Sequence, residues 1–168
     1  MRKQTIETKL NKALMDEYHA RDTYRKIIDT FGEVRPFSNI VLAEQRHINF
    51  LLPLYKKYSI TVPPEPDTTG IAMPDTLTEA CQIAVQAEEE NINLYDELLT
   101  DTNEQDIIAV FQQLQAASRD NHLPAFRRCL EQGTMTQRNC GKNSRGSERQ
   151  RGWGKGGGHR VGRGCRFV

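Results

Sequence analysis

The sequence has no apolar run long enough to cross a bilayer. A transmembrane helix needs about 20 consecutive, mostly apolar residues, and charged residues, 27% of the chain, leave no such stretch. The N-terminal stretch MRKQTIETKL also lacks the apolar segment of a secretory signal. We therefore expect no membrane partner and no export signal.

Cysteine motifs are missing as well. The four cysteines are Cys81, Cys129, Cys140 and Cys165, and no two of them form a Cys-x-x-Cys pair. This usage is typical of a reduced intracellular protein rather than of a disulfide-rich secreted domain. The sequence therefore predicts free thiols and a cytoplasmic location.

Glycine is nearly absent from the first 132 residues, which hold two of the twelve glycines. The charge changes at the same point in the chain. There are 14 basic and 21 acidic residues before Gly133, and nine basic residues and one acidic residue from Gly133 onward. We predict a folded domain over residues 1–132 and a basic, Gly/Arg-rich disordered tail over 133–168, because the tail is too polar to form a core.

No segment shows the alternating pattern of a strand, whereas apolar residues recur throughout the domain with helical spacing. This spacing predicts four helices, over about residues 5–28, 38–58, 76–99 and 103–130. Thr76 and Glu79 form a capping-box pattern at the start of the third predicted helix. Pro53 should bend or end the second helix early, and Pro124 is awkward within the fourth. The long proline-rich connection over 59–75 indicates an all-α, up-down four-helix bundle with one long crossover between helices 2 and 3.

Each predicted helix places a polar side chain at the centre of its apolar face, about midway along its length. Carboxylates and imidazoles that converge in a dry bundle core are the ligands of iron and manganese centres. A Glu-x-x-His pair lets one helix turn offer an oxygen and a nitrogen to the same ion. The sequence therefore predicts a metal site, with Tyr24 and Tyr95 as ordinary core aromatics. The predicted ligands are Glu17, Glu44, His47, Glu88 and His122.

Four stretches resemble the ferritin-like superfamily, and most closely its branch called domain of unknown function 2202. They are EYHARDTY from Glu17, FSNIVLAEQRH from Phe37, QAEEENI from Gln86 and LQAASRDNHL from Leu114. The resemblance covers roughly residues 5–130. It implies a ferritin-like bundle, the same five ligand positions, and redox handling of Fe²⁺ with O₂ or peroxide by a metal-dependent oxidoreductase.

The resemblance is incomplete in the fourth helix. The superfamily pattern has a second Glu-x-x-His there, but Arg119 stands three residues before His122. On a helical wheel Arg119 falls on the inner face, where its charge would oppose a second cation. We therefore expect Glu44 and His47 to hold one ion tightly and a second ion to be weak or absent. The predicted cofactor is iron or manganese, with one or two ions per chain.

Two other interpretations stay open at this stage. The buried carboxylates could form an ion network with Arg21 and Arg119 instead of binding metal. Alternatively, a metal-free bundle could act as an interaction protein whose basic tail binds nucleic acid weakly and without sequence specificity. A homodimer is compatible with either interpretation.

Overall fold

The computed structural model describes the backbone of residues 2–142 and the side chains of residues 5–133. This part of the chain is helical and contains no strand, which confirms the predicted all-α class. Helix α4 passes through a π-helical turn, Ser118–His122, directly into α5, so these three segments form the fourth helix of the bundle. The helices are α1 (Arg2–Phe31), α2 (Phe37–Lys57), α3 (Leu77–Thr100), α4 (Gln105–Ala117) and α5 (Leu123–Lys142).

Side-chain contacts define the direction of each helix. Tyr24 on α1 meets Phe37 at the start of α2, with ring centroids 5.7 Å apart, so α1 and α2 are antiparallel. The Tyr24 hydroxyl reaches Glu88, and the Tyr95 hydroxyl reaches Glu17, so α1 and α3 are antiparallel too. Helices α2 and α3 are therefore parallel, and the connection between them crosses the bundle as predicted. The bundle with one long crossover is confirmed.

The crossover is fastened to α1 by charged side chains. The buried guanidinium of Arg21 donates to Asp22 Oδ1 at 2.7 Å and to Glu65 Oε2, in the connection, at 2.6 Å. Lys26 donates to the carbonyl oxygen of Thr68 farther along the same connection. These contacts explain how a proline-rich segment without regular structure is held along the bundle.

Local signals at the ends of the helices are mostly confirmed. The Thr76 hydroxyl accepts from the Glu79 N–H at 3.2 Å, and the Glu79 carboxylate accepts from the Thr76 N–H at 3.2 Å, which completes the capping box. Of the two effects expected of Pro53, a bend or an early end, the early end does not occur, because α2 continues to Lys57. Pro53 and Asn49 both lie on the exposed face, so water can bind the carbonyl that the proline leaves without a donor.

The free-thiol prediction is wrong for two cysteines. Cys81 on α3 and Cys129 on α5 form a disulfide, with Cα atoms 6.0 Å apart, a separation typical of such bonds. The two residues are 48 positions apart in sequence, so no local motif marks the pair. The helices bring them together only when α5 packs along α3.

Helix α5 runs to Lys142 and so crosses the predicted domain boundary at Gln132. An ideal Cβ on Gly133 would lie 2.6 Å from Thr78 Oγ1, so α5 still approaches α3 closely at this position. Residues 143–168, most of the predicted disordered tail, lie outside the described residues, and the division into domain and tail stays a prediction. Within the described residues, no helix has the length and apolar character needed to span a membrane.

Two apolar clusters flank the middle of the bundle. One includes Leu10, Leu51 and Phe111, and the other includes Ile27 and Phe126. Between them lies a layer of buried charged and polar side chains. Burying ionisable groups is costly unless they are paired or bind a metal, so this layer is where a function is to be sought.

Candidate metal centre

The first group of candidate ligands joins α1 and α2. Nδ1 of His47 lies 3.0 Å from Glu17 Oε2 and 2.8 Å from Glu44 Oε2. Glu17 is 1% exposed and Glu44 is 3% exposed. One nitrogen and two carboxylate oxygens therefore converge on a small volume without solvent.

The second group of candidate ligands joins α2, α3 and the π turn. Nδ1 of His122 lies 3.1 Å from Glu44 Oε1 and 3.5 Å from Glu88 Oε2. Glu44 thus belongs to both groups and turns one oxygen towards each imidazole. The rings of His47 and His122 are stacked with centroids 5.4 Å apart. In each group the candidate ligand atoms all lie within 4.8 Å of one another, which is close enough for a single ion.

The π turn brings His122 to this layer. Leu123 N–H donates to Ser118 O, five residues back, instead of to the carbonyl four residues back. Pro124 follows at once, and its ring would clash with the carbonyl of Asp120 in a regular α-helix. Such a turn accommodates one extra residue and often occurs at functional sites. It leaves Ser118 and His122 buried.

Arg119 does not lie on the inner face, and that prediction is wrong. Its side chain is 56% exposed and pairs with Asp120, Nε to Oδ1, at 2.9 Å. The wheel assumed a uniform α-helix, whereas the π turn rotates the residues before His122 relative to it. The physical argument against a second cation therefore no longer holds.

The alternative ion network lacks its two predicted cations. Arg21 is buried, but its ion pairs are with Asp22 and Glu65, and Arg119 faces solvent. Neither arginine neutralises Glu17, Glu44 or Glu88. Within the described residues the neighbours that carry positive charge at these carboxylates are the two imidazoles, and only when protonated.

Replacing Arg119 by alanine or glutamate is expected to leave the metal content unchanged. The side chain is exposed, and its ion pair with Asp120 is a surface pair of the kind that contributes little to stability. Elemental analysis of purified Arg119→Ala and Arg119→Glu proteins checks this. A change in the number of bound ions would show that the guanidinium acts on the site after all.

Two tyrosines donate hydrogen bonds to Glu17 and Glu88, the carboxylates that each belong to one group only. Tyr95 donates to Glu17 Oε1 at 2.6 Å, and Tyr24 donates to Glu88 Oε1 at 2.8 Å. Each carboxylate therefore keeps its Oε2 free to face an imidazole. The helical spacing predicts both tyrosines only as core aromatics and does not reveal this role. The sequence signal that could have indicated this role is the same seven-residue spacing from Glu17 to Tyr24 and from Glu88 to Tyr95.

A further carboxylate lies next to this layer. Asp16 is half-buried and accepts a hydrogen bond from Asn91 Nδ2 at 2.6 Å. Burial raises the pKa of Asp16, and the charges of Glu44 and Glu88 raise it further, although the Asn91 bond lowers it. Asp16 is not among the ligands predicted from the sequence.

The protonation states show how the chain balances these charges without metal. Burial raises the pKa of Glu17 to about 8. Burial opposes ionisation of Glu44 as well, but the two adjacent imidazoles lower its pKa to about 2. Although burial lowers the pKa of each imidazole, the adjacent carboxylates raise it to about 9 for His47 and about 10 for His122. An ionised Glu44 thus lies between two protonated imidazoles.

The residues present fit a metal. Nδ1 of His122 is buried and makes no hydrogen bond of acceptable geometry within the described part of the chain, although two carboxylates face it. An unsatisfied buried nitrogen is costly, and coordination of a cation would satisfy it. Carboxylate oxygen with imidazole nitrogen is a donor set that suits iron or manganese.

A sequence model of the uncharacterised protein domain DUF2202 matches residues 12–140. The chain belongs to the DUF2202 family. The matched segment of this DUF2202 chain includes all five candidate ligands, the π turn and the disulfide. No curated protein matches the chain significantly.

The fold of this DUF2202 protein is similar to that of a solved structure from an archaeon. The crystal structure of the hypothetical protein MJ0754 from Methanococcus jannaschii DSM 2661 superimposes with a TM-score of 0.68 and 24% sequence identity. The match covers 76% of this chain and 81% of that chain. At this level of identity the likeness supports the fold alone.

Proposed function

We propose that this DUF2202 chain is a ferritin-like metal-carboxylate protein that binds two ions of iron or manganese and handles Fe²⁺ with O₂ or peroxide. The observation that carries the proposal is the pair of buried ligand groups that share Glu44. In the first group Glu17 and His47 are the outer ligands, and in the second Glu88 and His122 are. Glu44 has one oxygen for each ion.

The charge of the layer supports two divalent ions. Three ionised carboxylates carry −3, and two ions carry +4, so metal would replace the protons that neutralise the carboxylates in the metal-free chain. The remaining positive charge favours an anionic or strongly polar co-substrate. Peroxide and reduced oxygen species have this character.

The number of protein ligands supports a reactive rather than a structural centre. Each group offers two carboxylates and one imidazole, whereas iron and manganese usually take more ligands than three. Open positions are where a small oxidant binds. When bound, redox-active ions supply the electrons that reduce the oxidant.

The chain's own residues would orient and shield this centre. Tyr24 and Tyr95 hold the outer carboxylates from behind, as partners of metal ligands commonly do. The apolar clusters on both sides exclude bulk water, which strengthens electrostatic interactions in the layer. The reaction would therefore be limited to small molecules that can enter a packed bundle.

The test is to add Fe²⁺ to metal-free protein without oxygen and then to supply either O₂ or hydrogen peroxide. Absorbance reports the Fe³⁺ formed, and an oxygen electrode or peroxide assay reports the oxidant consumed. We expect oxidation faster than in buffer, with one of the two oxidants clearly preferred. Metal binding without accelerated oxidation by either would reject the redox function and leave a metal-binding bundle.

Metal binding should also strengthen as the pH rises from 7 towards 9. At pH 7 each of Glu17, His47 and His122 holds a titratable proton in the metal-free chain, because their pKa values are about 8, 9 and 10. Ligands must lose their protons to bind metal, so each proton displaced weakens binding about tenfold per pH unit below its pKa. Mn²⁺ competition titrations at several pH values measure the slope. A flat profile would show that these protonated groups are not the ligands.

A further inference from the structure

The disulfide lies two helical turns from the metal centre on both of its helices. Cys81 precedes Glu88 by seven residues on α3, and Cys129 follows His122, the last residue of the π turn, by seven residues on α5. Seven residues return a helix to nearly the same face, about 10 Å farther along its axis. The bond therefore joins the two elements that carry the outer ligands of the second group.

The space between the disulfide and the centre is packed. Cys81 belongs to the same apolar cluster as Tyr24 and Phe126, and Cys129 packs against that cluster. The Tyr24 and Phe126 rings are 5.1 Å apart, and the Tyr24 hydroxyl binds Glu88. A change in how α5 lies on α3 would thus reach Glu88 through direct contacts.

His122 is the ligand that depends most on this packing. Its Nδ1 makes no well-formed hydrogen bond to any residue that the structure describes. By contrast, Nδ1 of His47 is hydrogen-bonded to Glu17 Oε2 at 3.0 Å. The position of His122 is set by the π turn and by the docking of α5. Besides the disulfide, that docking includes the exposed Arg127–Glu89 ion pair and the contact of Gly133 with Thr78.

We propose that Cys81 and Cys129 are a redox-active pair, and that reduction of their disulfide by a dithiol weakens metal binding at Glu44, Glu88 and His122. This inference rests on the proposed function, because it concerns the same metal centre. Oxidising conditions would keep the second ion bound, and reducing conditions would release it.

The difference in exposure between the two cysteines decides which sulfur atom a reductant can attack. Cys81 is fully buried, whereas Cys129 is partly exposed. A thiolate of the dithiol attacks Cys129 Sγ, the Sγ–Sγ bond breaks, and the electron pair leaves with Cys81 Sγ, which takes up a proton. The second thiol of the reductant then displaces Cys129 as a thiol. The dithiol becomes a disulfide and its two electrons and two protons are transferred to the pair.

The test compares Mn²⁺ affinity in the oxidised and reduced full-length chain. Mn²⁺ avoids the oxidation that would complicate Fe²⁺, and alkylation followed by mass measurement counts the free thiols. Cys140→Ser/Cys165→Ser serves as the background, so that the pair holds the remaining thiols. Removing the reductant by desalting without oxygen prevents it from binding the metal.

We expect two binding steps in the oxidised chain and an affinity about tenfold lower for one of them after reduction, as when a group that orients a ligand is lost. Cys129→Ser should behave like the reduced chain and should not respond to dithiol. In His122→Ala, where only the first group stays complete, the Mn²⁺ affinity of the remaining binding step should be the same in both redox states. Far-UV circular dichroism confirms that each variant is folded, and chemical reduction gives the same comparison without any substitution.

The failures are distinguishable. Equal Mn²⁺ affinities in the two redox states would overturn this inference and leave the metal centre intact. A shift of the same size in His122→Ala would also overturn it, because the effect would then not act through the second group. Absence of Mn²⁺ and Fe²⁺ binding in the oxidised chain would overturn the metal centre and this inference together.

Discussion

Replacing Glu44 by glutamine should abolish binding of both ions. Glu44 contributes an oxygen to each ligand group, and an amide lacks the charge and the second oxygen needed to serve two cations. Loss of a group that merely orients a ligand costs about 10–100-fold in affinity, so loss of a shared ligand should cost at least about 100-fold. Elemental analysis and Mn²⁺ titration should show a fall from two ions to nearly none.

Two further variants make this result specific. Glu89→Gln changes an equivalent side chain on the outer face, where Glu89 pairs with Arg127 at 2.8 Å, and it should retain both ions. His122→Ala should retain one ion, bound by Glu17, Glu44 and His47. If Glu44→Gln keeps one ion at full affinity, then Glu44 is not shared and the two groups are independent.

Removing metal should lower the melting temperature by a large amount. Metal that binds only the folded chain stabilises it by about 2.7 kcal/mol per site at a free concentration one hundred times the dissociation constant. For a chain of this size, 1 kcal/mol corresponds to about 2–4 °C, so each occupied site should add roughly 5–10 °C. The physical reason is that the five candidate ligands converge only in the folded chain, so the unfolded chain has no comparable site for the cations.

Thermal melts of chelator-stripped protein with and without Mn²⁺ measure this effect. Glu44→Gln provides the matched control, since its melting temperature should not respond to the metal. An unchanged midpoint in the unmutated chain at saturating Mn²⁺ would contradict the metal centre. A rise of equal size in the control would indicate binding elsewhere on the chain.

The helices and the candidate ligands could be predicted from sequence because both depend on local periodicity. Apolar residues at helical spacing define the buried face, and a glutamate or histidine at the centre of that face must enter the core. The prolines, the capping box and the loop lengths are also local signals, and they predicted one long crossover. Glu17, Glu44, His47, Glu88 and His122 all lie in the buried layer for this reason.

The errors arose where the helix departs from a uniform α-helix or where distant residues meet. Arg119 was placed inside because the wheel could not include the π turn that Pro124 favours. The tyrosines were undervalued because their hydroxyl partners lie on the opposite helix. The Cys81–Cys129 bond was missed because its residues are 48 positions apart.

The sequence by itself therefore determined which side chains enter the core and on which helix each one lies. Only the tertiary structure decided how these side chains pair, and above all that Glu44 turns one oxygen to His47 and the other to His122. The physical reason is that burial follows from the periodicity of one helix, whereas a distance of about 3 Å between atoms of different helices follows from their packing. That packing also decided that Arg21 and Arg119 pair with carboxylates outside the buried layer rather than with Glu17, Glu44 or Glu88.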